Sequence, residues 1–407
     1  MTARRRPATA ATAELVPAVP MTVVLMTVVL MTVALAGCGS TRASGAPRPV
    51  PPAAPSLATS AGYPGGTWAV LVMGGSAAQH DDFWQVFVRP AGKHAAWRLA
   101  TPLGAASNGG IAVAATGGPS LVAAMLPSQD LRFSPLSRSA DNGAKWAQAG
   151  LLDAPLAAGP SALAGSPSGG LIALTRAGAA EVAAHPGGSW TRLATEHSVA
   201  TSAPARSCGL TALSSAGYSS SGAALLAGSC SRGSRAGIFV HGPGGGWLAA
   251  GPALPPALAG RPASVLQLAR AGPADVALLE VGTGRSASLL GAWSSAEGSR
   301  WQLSAPYPLN GAAPRSAAVA GRALGVLLNS GRAVTVTGPG TSWQVLPALP
   351  AGAAALSAGS ATLAAAPDGG FQLLAGRGAR LSVWSAGSAG WARSQVINVA
   401  IPYGSSG

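Results

Sequence analysis

Ser139-Ala140-Asp141-Asn142-Gly143-Ala144-Lys145-Trp146 is the stretch from which the fold is read. It has the form S-x-D-x-G-x-x-W. A carboxylate two residues after a serine can accept the N–H groups of a tight turn, and a glycine two residues later can take positive φ. A tryptophan closing the turn supplies a large apolar face to pack between adjacent sheets. The stretch therefore predicts a tight turn closed by Trp146.

A Gly-rich turn followed by Trp recurs along the chain. AGKHAAW ends at Trp97, HPGGSW at Trp190, HGPGGGW at Trp247, SSAEGSRW at Trp301, TGPGTSW at Trp343 and SAGSAGW at Trp391. With Trp146 the intervals are 49, 44, 57, 54, 42 and 48 residues, with a mean of 49. Between them lie short apolar runs separated by Gly, Pro and Ser, such as Trp68–Met73, Leu171–Thr175, Val276–Glu280 and Phe371–Leu374. A period of 40–50 residues with four short strands per unit predicts an all-β fold, a seven-bladed β-propeller of four-stranded antiparallel blades. One blade reads in full as Ser161–Ala164, Gly170–Thr175, Glu181–His185 and Ser189–Ala194. The first blade starts at Trp68 without an evident inner strand, and Val396–Gly404 is the expected source of ring closure. No stretch after residue 66 keeps an apolar helical period over three turns.

Composition agrees. Gly (56) and Pro (33) disfavour long helices, and charged residues make up only 9% against 48% hydrophobic. The formal charge of +14 is carried almost wholly by arginine, scattered singly beyond Arg6, with Lys93 and Lys145 the lysines. No basic run interleaves with aromatics, so no nucleic-acid partner is expected.

The N-terminus carries an address. Arg4, Arg5 and Arg6 precede the apolar run Met21–Leu35, whose 15 residues suit a signal h-region better than a spanning helix. Leu35-Ala36-Gly37-Cys38 follows and resembles the bacterial lipobox. The resemblance implies cleavage before Cys38 and diacylglycerol on its sulfur, and so a lipid anchor at the outer face of a cell membrane. Residues 1–37 are read as signal peptide, 38–65 as a disordered Pro/Ala/Ser-rich tether and 66–407 as the propeller domain. In that oxidising setting Cys208 and Cys230, each beside a short apolar run, are expected to form a disulfide. A metal or redox pair is the alternative, but neither has a His or carboxylate close in sequence.

The stretch 139–146 resembles the Asp-box, or BNR repeat, of sialidase-like propellers, where it joins the third and fourth strands of a blade. Ser294 to Trp301 is a degenerate copy, with Ala296 in the place of the Asp. The resemblance covers residues 66–407 as repeats and implies a folding role for Ser139, Asp141, Gly143 and Trp146. A sialidase also needs three arginines, a Tyr–Glu pair and an Asp acid/base. Here Phe87-Val88-Arg89-Pro90 is the nearest approach to its first arginine motif. Tyr63, Tyr218, Tyr307 and Tyr403 are the tyrosines, and Glu280 is a conceivable strand-borne acid. His80-Asp81-Asp82, the densest polar cluster, matches no metal spacing; it lies in a loop between apolar runs, where polar residues belong anyway. His94, His185, His197 and His241 are isolated. Neither a catalytic residue nor a metal or other cofactor is assigned. The expectation is a monomeric, membrane-anchored, extracytoplasmic binding or assembly module for a protein or glycan ligand, with a divergent sialidase-type glycoside hydrolase as the alternative.

Overall fold

The computed structural model describes residues 58–74, 82–102, 110–125, 134–152, 160–295, 300–351, 353 and 359–400. The lipobox with Cys38, the apolar run Met21–Leu35, His80, Asp81, Glu297 and Tyr403 lie outside them. The described chain is mostly β, built of successive antiparallel meanders.

The first meander is β1 (Ala58–Tyr63), β2 (Gly66–Gly74), β3 (Asp82–Pro90) and β4 (Arg98–Leu99). The second is β5 (Ile111–Gly117), β6 (Ser120–Met125), β7 (Ser134–Ser139) and β8 (Ala147–Leu152). The third, β9 (Pro160–Gly165), β10 (Leu171–Thr175), β11 (Ala179–Ala183) and β12 (Thr191–Thr195), follows the strand order read from the sequence. The fourth is β13 (Leu210–Tyr218), β14 (Ala224–Cys230), β15 (Ile238–His241) and β16 (Trp247–Ala249). The fifth is β17 (Ala263–Ala271), β18 (Ala274–Val281), β19 (Ser288–Ser294) and β20 (Trp301–Leu303), with β21 (Tyr307–Pro308) added beside β19. The sixth is β22 (Pro314–Ala320), β23 (Ala323–Leu328), β24 (Ala333–Val336) and β25 (Gln344–Val345). The last is β26 (Ala361–Ala365), β27 (Phe371–Arg377), β28 (Arg380–Gly387) and β29 (Gly390–Asn398).

Each sheet is buried on both faces, which is why its second strand reads as a nearly continuous apolar run. In β2, Val70 and Val72 face the second meander while Ala69, Leu71 and Met73 face the last, by the two-residue alternation of a strand. Seven buried clusters fill the wedges between meanders among the described residues, and each holds one of the turn tryptophans. Trp146 lies between the first and second meanders, Trp190 between the second and third, and Trp247 between the third and fourth. Trp301, Trp343 and Trp391 occupy the next three wedges. Trp97 lies between the last meander and the first.

Several indoles also tie their meander to the one before. Trp146 Nε1 donates to Ala100 O at 2.8 Å, Trp391 Nε1 to Pro347 O at 2.9 Å and Trp343 Nε1 to Ser304 Oγ at 3.2 Å. Trp301 Nε1 donates to Ala250 O. The sequence period of the tryptophans is thus the repeat of a sheet-to-sheet contact.

Three features differ from the sequence expectation. The first meander does have an inner strand, β1, formed by Ala58–Tyr63 within the stretch read as tether. Its residues are too small to register as an apolar run. Small residues suit its position, because β1 pairs antiparallel with β2 on one edge and parallel with β22 on the other. Ser60 Oγ donates to Leu363 O of β26 at 2.6 Å, and Gln267 Nε2 of β17 donates to Ser60 O at 3.4 Å. Second, the C-terminal run does not supply an inner closing strand. Val396–Asn398 end the outer strand β29, and all four strands of the last sheet come from one continuous segment; 401–404 lie outside the described residues. Third, two short helices, α1 (Glu196–Ala200) and α2 (Ala203–Cys208), connect β12 to β13. Thr195 and Ser198 form a capping box at the start of α1. Helices this short show no period in sequence. Among the described residues no helix is long and apolar enough to cross a membrane.

Candidate functional site: the axial cavity

The inner strands β5, β9, β13 and β17 lie side by side, each packed on the next. Together with β1 they enclose a cavity of about 1000 Å³. Its wall is mostly small and apolar, with Ala112, Ala114, Ala162, Ala164 and Ala269 projecting from strand positions where larger side chains would fill the space. Close approach of the strands depends on glycine in places: a Cβ on Gly165 of β9 would collide with Ala115 O of β5. The cavity is eccentric. No residue of β22 or β26 lines it, because the β1–β22 pair fills that side. On the opposite flank the wall extends past β1 to Trp68 and Trp84 of β2 and β3.

Charged groups are few. Glu196 at the start of α1 accepts the Leu213 N–H on Oε2 at 3.0 Å. Arg176, half-buried, has its pKa lowered by desolvation. Glu280 at the end of β18 is raised by burial. Asp275, near the start of the same strand, is 3% exposed, and burial pushes its carboxyl up to about 6 against the opposing effect of Arg270. The Tyr63 hydroxyl is raised by burial and donates to Asn142 Oδ1 at 2.7 Å. Burial pushes Tyr218 up to about 12, and it donates to Leu171 O at 2.8 Å.

The residues singled out in sequence separate into those on this wall and those in the wedges. Glu280, Tyr63 and Tyr218 line the cavity. The turn tryptophans do not. Arg89 is 6% exposed in the wedge between the first and last meanders. There it donates to Ala365 O at 2.7 Å and lies 5.7 Å from the centroid of the Trp97 ring. Tyr307 packs beside Trp343, and the ring of His241 meets Trp247 edge-on. Among the described residues no cluster of three or more His, Cys, Asp or Glu could hold a metal.

In the 139–146 turn, Ser139 Oγ accepts the Gly143 N–H at 2.7 Å and donates to Asp141 Oδ1 at 2.8 Å. Asp141 Oδ1 accepts the Lys145 N–H at 2.9 Å, which with Ser139 holds its carboxyl below the usual range. Asn142 and Gly143 both have positive φ, 59° and 77°. Arg98 of the first meander donates to the Asp141 and Asn142 carbonyls, so the turn is docked on its neighbour. Cys208 and Cys230 are disulfide-bonded, joining the end of α2 to the end of β14.

Asp275 and Glu196 were missed in sequence. Asp275 follows Gly272-Pro273 and reads as one more turn residue, and Glu196 follows an outer strand. Only their place on a common wall distinguishes them.

No family model and no curated protein matches the sequence. Among solved structures the chain is similar to YCF48 bound to D1 peptide (16% identity, TM-score 0.43, over 78% of this chain and 89% of that one). It is similar to a Bacteroides uniformis protein described as a 6-phosphogluconolactonase (12% identity, TM-score 0.48, 82% and 97%). It is also similar to the Aleuria aurantia lectin, a six-bladed β-propeller (12% identity, TM-score 0.40, 85% and 96%). These likenesses assign neither a blade number nor a ligand.

Proposed function

We propose that the chain is a lipid-anchored, extracytoplasmic binding module whose meanders close into a seven-bladed propeller and whose axial cavity receives a protein or glycan ligand. The cavity carries this reading: a preformed concave space with a mostly apolar wall in which a few charged groups are set is the usual form of a ligand site. The succession of wedges, one tryptophan in each and Trp97 between last and first, supports the ring of seven. Asp141 and its turn serve folding, since its carboxylate is occupied by backbone and Ser139. Diacylglycerol on Cys38, with residues before β1 as the tether, would hold the cavity above a membrane.

Binding to peptide and glycan arrays, repeated with Ala212→Trp on the cavity wall, tests the reading. Loss of binding in the variant is expected; binding that survives places the ligand elsewhere. Metabolic labelling with a lipid precursor tests the anchor: Cys38→Ala should abolish it. Glu280 and Tyr218 on one wall keep a glycoside hydrolase as a second reading. Turnover of a fluorogenic sialoside that is lost in Glu280→Gln would replace binding by catalysis.

A further inference from the structure

We propose that the axial cavity recognises a primary ammonium group at the end of a slender aliphatic chain, with Asp275 as its counter-ion. The inference rests on the reading of the cavity as a ligand site and adds the chemistry of the ligand. Asp275 is 3% exposed and lines the cavity, yet its carboxylate accepts no hydrogen bond among the described residues; only its backbone N–H is bonded, to Ser294 Oγ at 2.8 Å. A buried carboxylate left without a donor is costly, and a ligand that brings a donor or a positive charge removes the cost.

The rest of the wall points the same way. The whole chain has 12 acidic residues and a charge of +14, yet Glu196, Asp275 and Glu280 all line this cavity. Against them stand Arg176 and Arg270; Arg270 lies across the β17–β18 pair from Asp275 and lowers its carboxyl, but forms no hydrogen bond with it, its Nε donating to Gly272 O at 3.0 Å. Glu280 also accepts no hydrogen bond among the described residues. Between the partners of Glu280 and Asp275 on β17 the wall is Ser264, Val265, Leu266, Gln267, Leu268 and Ala269, and Gln267 Oε1 is a buried acceptor without a donor, open to an ammonium. With a carboxyl of about 6, Asp275 is ionised at neutral pH.

Two sources share this chemistry, a free alkyl diamine and the side chain of a partner's lysine. The test is calorimetric titration of the full chain with 1,5-diaminopentane, with the peptide acetyl-Ala-Lys-Ala-amide and its Nε-acetylated form, and with glutarate. Saturable binding of the diamine or the lysine peptide is expected, with none of the acetylated peptide or glutarate. Whichever of the two binds identifies the source. Asp275→Asn should weaken binding at least tenfold, as should the blocking variant Ala212→Trp, and Glu280→Gln should weaken it less. Failure of both amines, or an affinity unchanged by Asp275→Asn in a folded variant, overturns the proposal. An array ligand that is lost in Ala212→Trp but indifferent to Asp275→Asn would overturn the ammonium assignment and leave the cavity a binding site.

Discussion

Trp97 donates its indole N–H to Gln372 Oε1 at 2.8 Å, across 275 residues of chain. Gln395 clasps the backbone of the same tryptophan, accepting its N–H at 3.0 Å and donating to its carbonyl at 2.7 Å. The first and last meanders are therefore joined by the same kind of tryptophan that joins each other pair, without an exchanged strand. Trp97→Ala should cost about 3–5 kcal/mol, the range for removing a large buried aromatic. Trp97→Phe, which keeps an aromatic ring and loses the donor, should cost about 1–3 kcal/mol, since Gln372 Oε1 is left without a donor. Urea unfolding measures both, and a Trp97→Phe variant as stable as the parent chain would mean that the hydrogen bond contributes nothing.

Asp275 predicts a pH-dependent gain from its own removal. Its carboxyl is raised from 3.8 to about 6 in the folded chain, so the folded state holds the proton more tightly than the unfolded one. Stability then falls as pH rises through about 4 to 6, and the penalty is complete above that window. At about 1.4 kcal/mol per unit the penalty is up to about 3 kcal/mol. Asp275→Asn should raise stability by up to that amount at pH 7.5 and by almost nothing at pH 4. A gain of equal size at both values, in thermal or urea unfolding, would refute the shift.

Ser139 is buried and serves three partners in the 139–146 turn. Ser139→Ala leaves the buried Gly143 N–H without an acceptor, a loss of about 1–3 kcal/mol. The same change should shift the fluorescence of Trp146, whose indole N–H reaches Ala100 only when the turn holds it. A shift absent from Ser139→Ala, with stability unchanged, would mean that the turn is held by the neighbouring meander alone.

The Cys208–Cys230 bridge closes a loop of sequence separation 22. Chain entropy assigns about 3 kcal/mol to a loop of that length. Reduction, or Cys208→Ala with Cys230→Ala, should lower stability by that order. It should also raise amide exchange in α1 and α2 before the rest of the chain. Uniform loss of protection would indicate that the bridge stabilises the whole fold instead of the helical connection.

Much of the architecture was legible because it repeats. A tryptophan after a Gly turn every 49 residues on average is a signal readable even in the turns that lack the Ser and Asp of 139–146. The second strand of the third meander, read as Gly170–Thr175, runs Leu171–Thr175, since a second strand is buried on both faces and must be apolar throughout. The inner strand β1 escaped notice because Ala-Thr-Ser-Ala-Gly-Tyr has no hydropathy pattern; it is a strand because of the partners on both its edges. The cavity was only partly visible, through Glu280, Tyr63 and Tyr218. Asp275 and Glu196 could not be told from turn residues without knowing what covers them.

The sequence by itself determined the local and periodic properties: short strands, tight turns, the tryptophan repeat and the pairing of the two cysteines. Each depends on residues near one another in the chain, or on their regular recurrence. Which strand completes the first meander, how the first and last meanders meet and which carboxyls share one wall were decided by the tertiary structure. Those relations join residues such as Ala58 with Ser316 and Trp97 with Gln372. No local preference encodes them, because they arise only when all the sheets pack around one axis and bury their faces together.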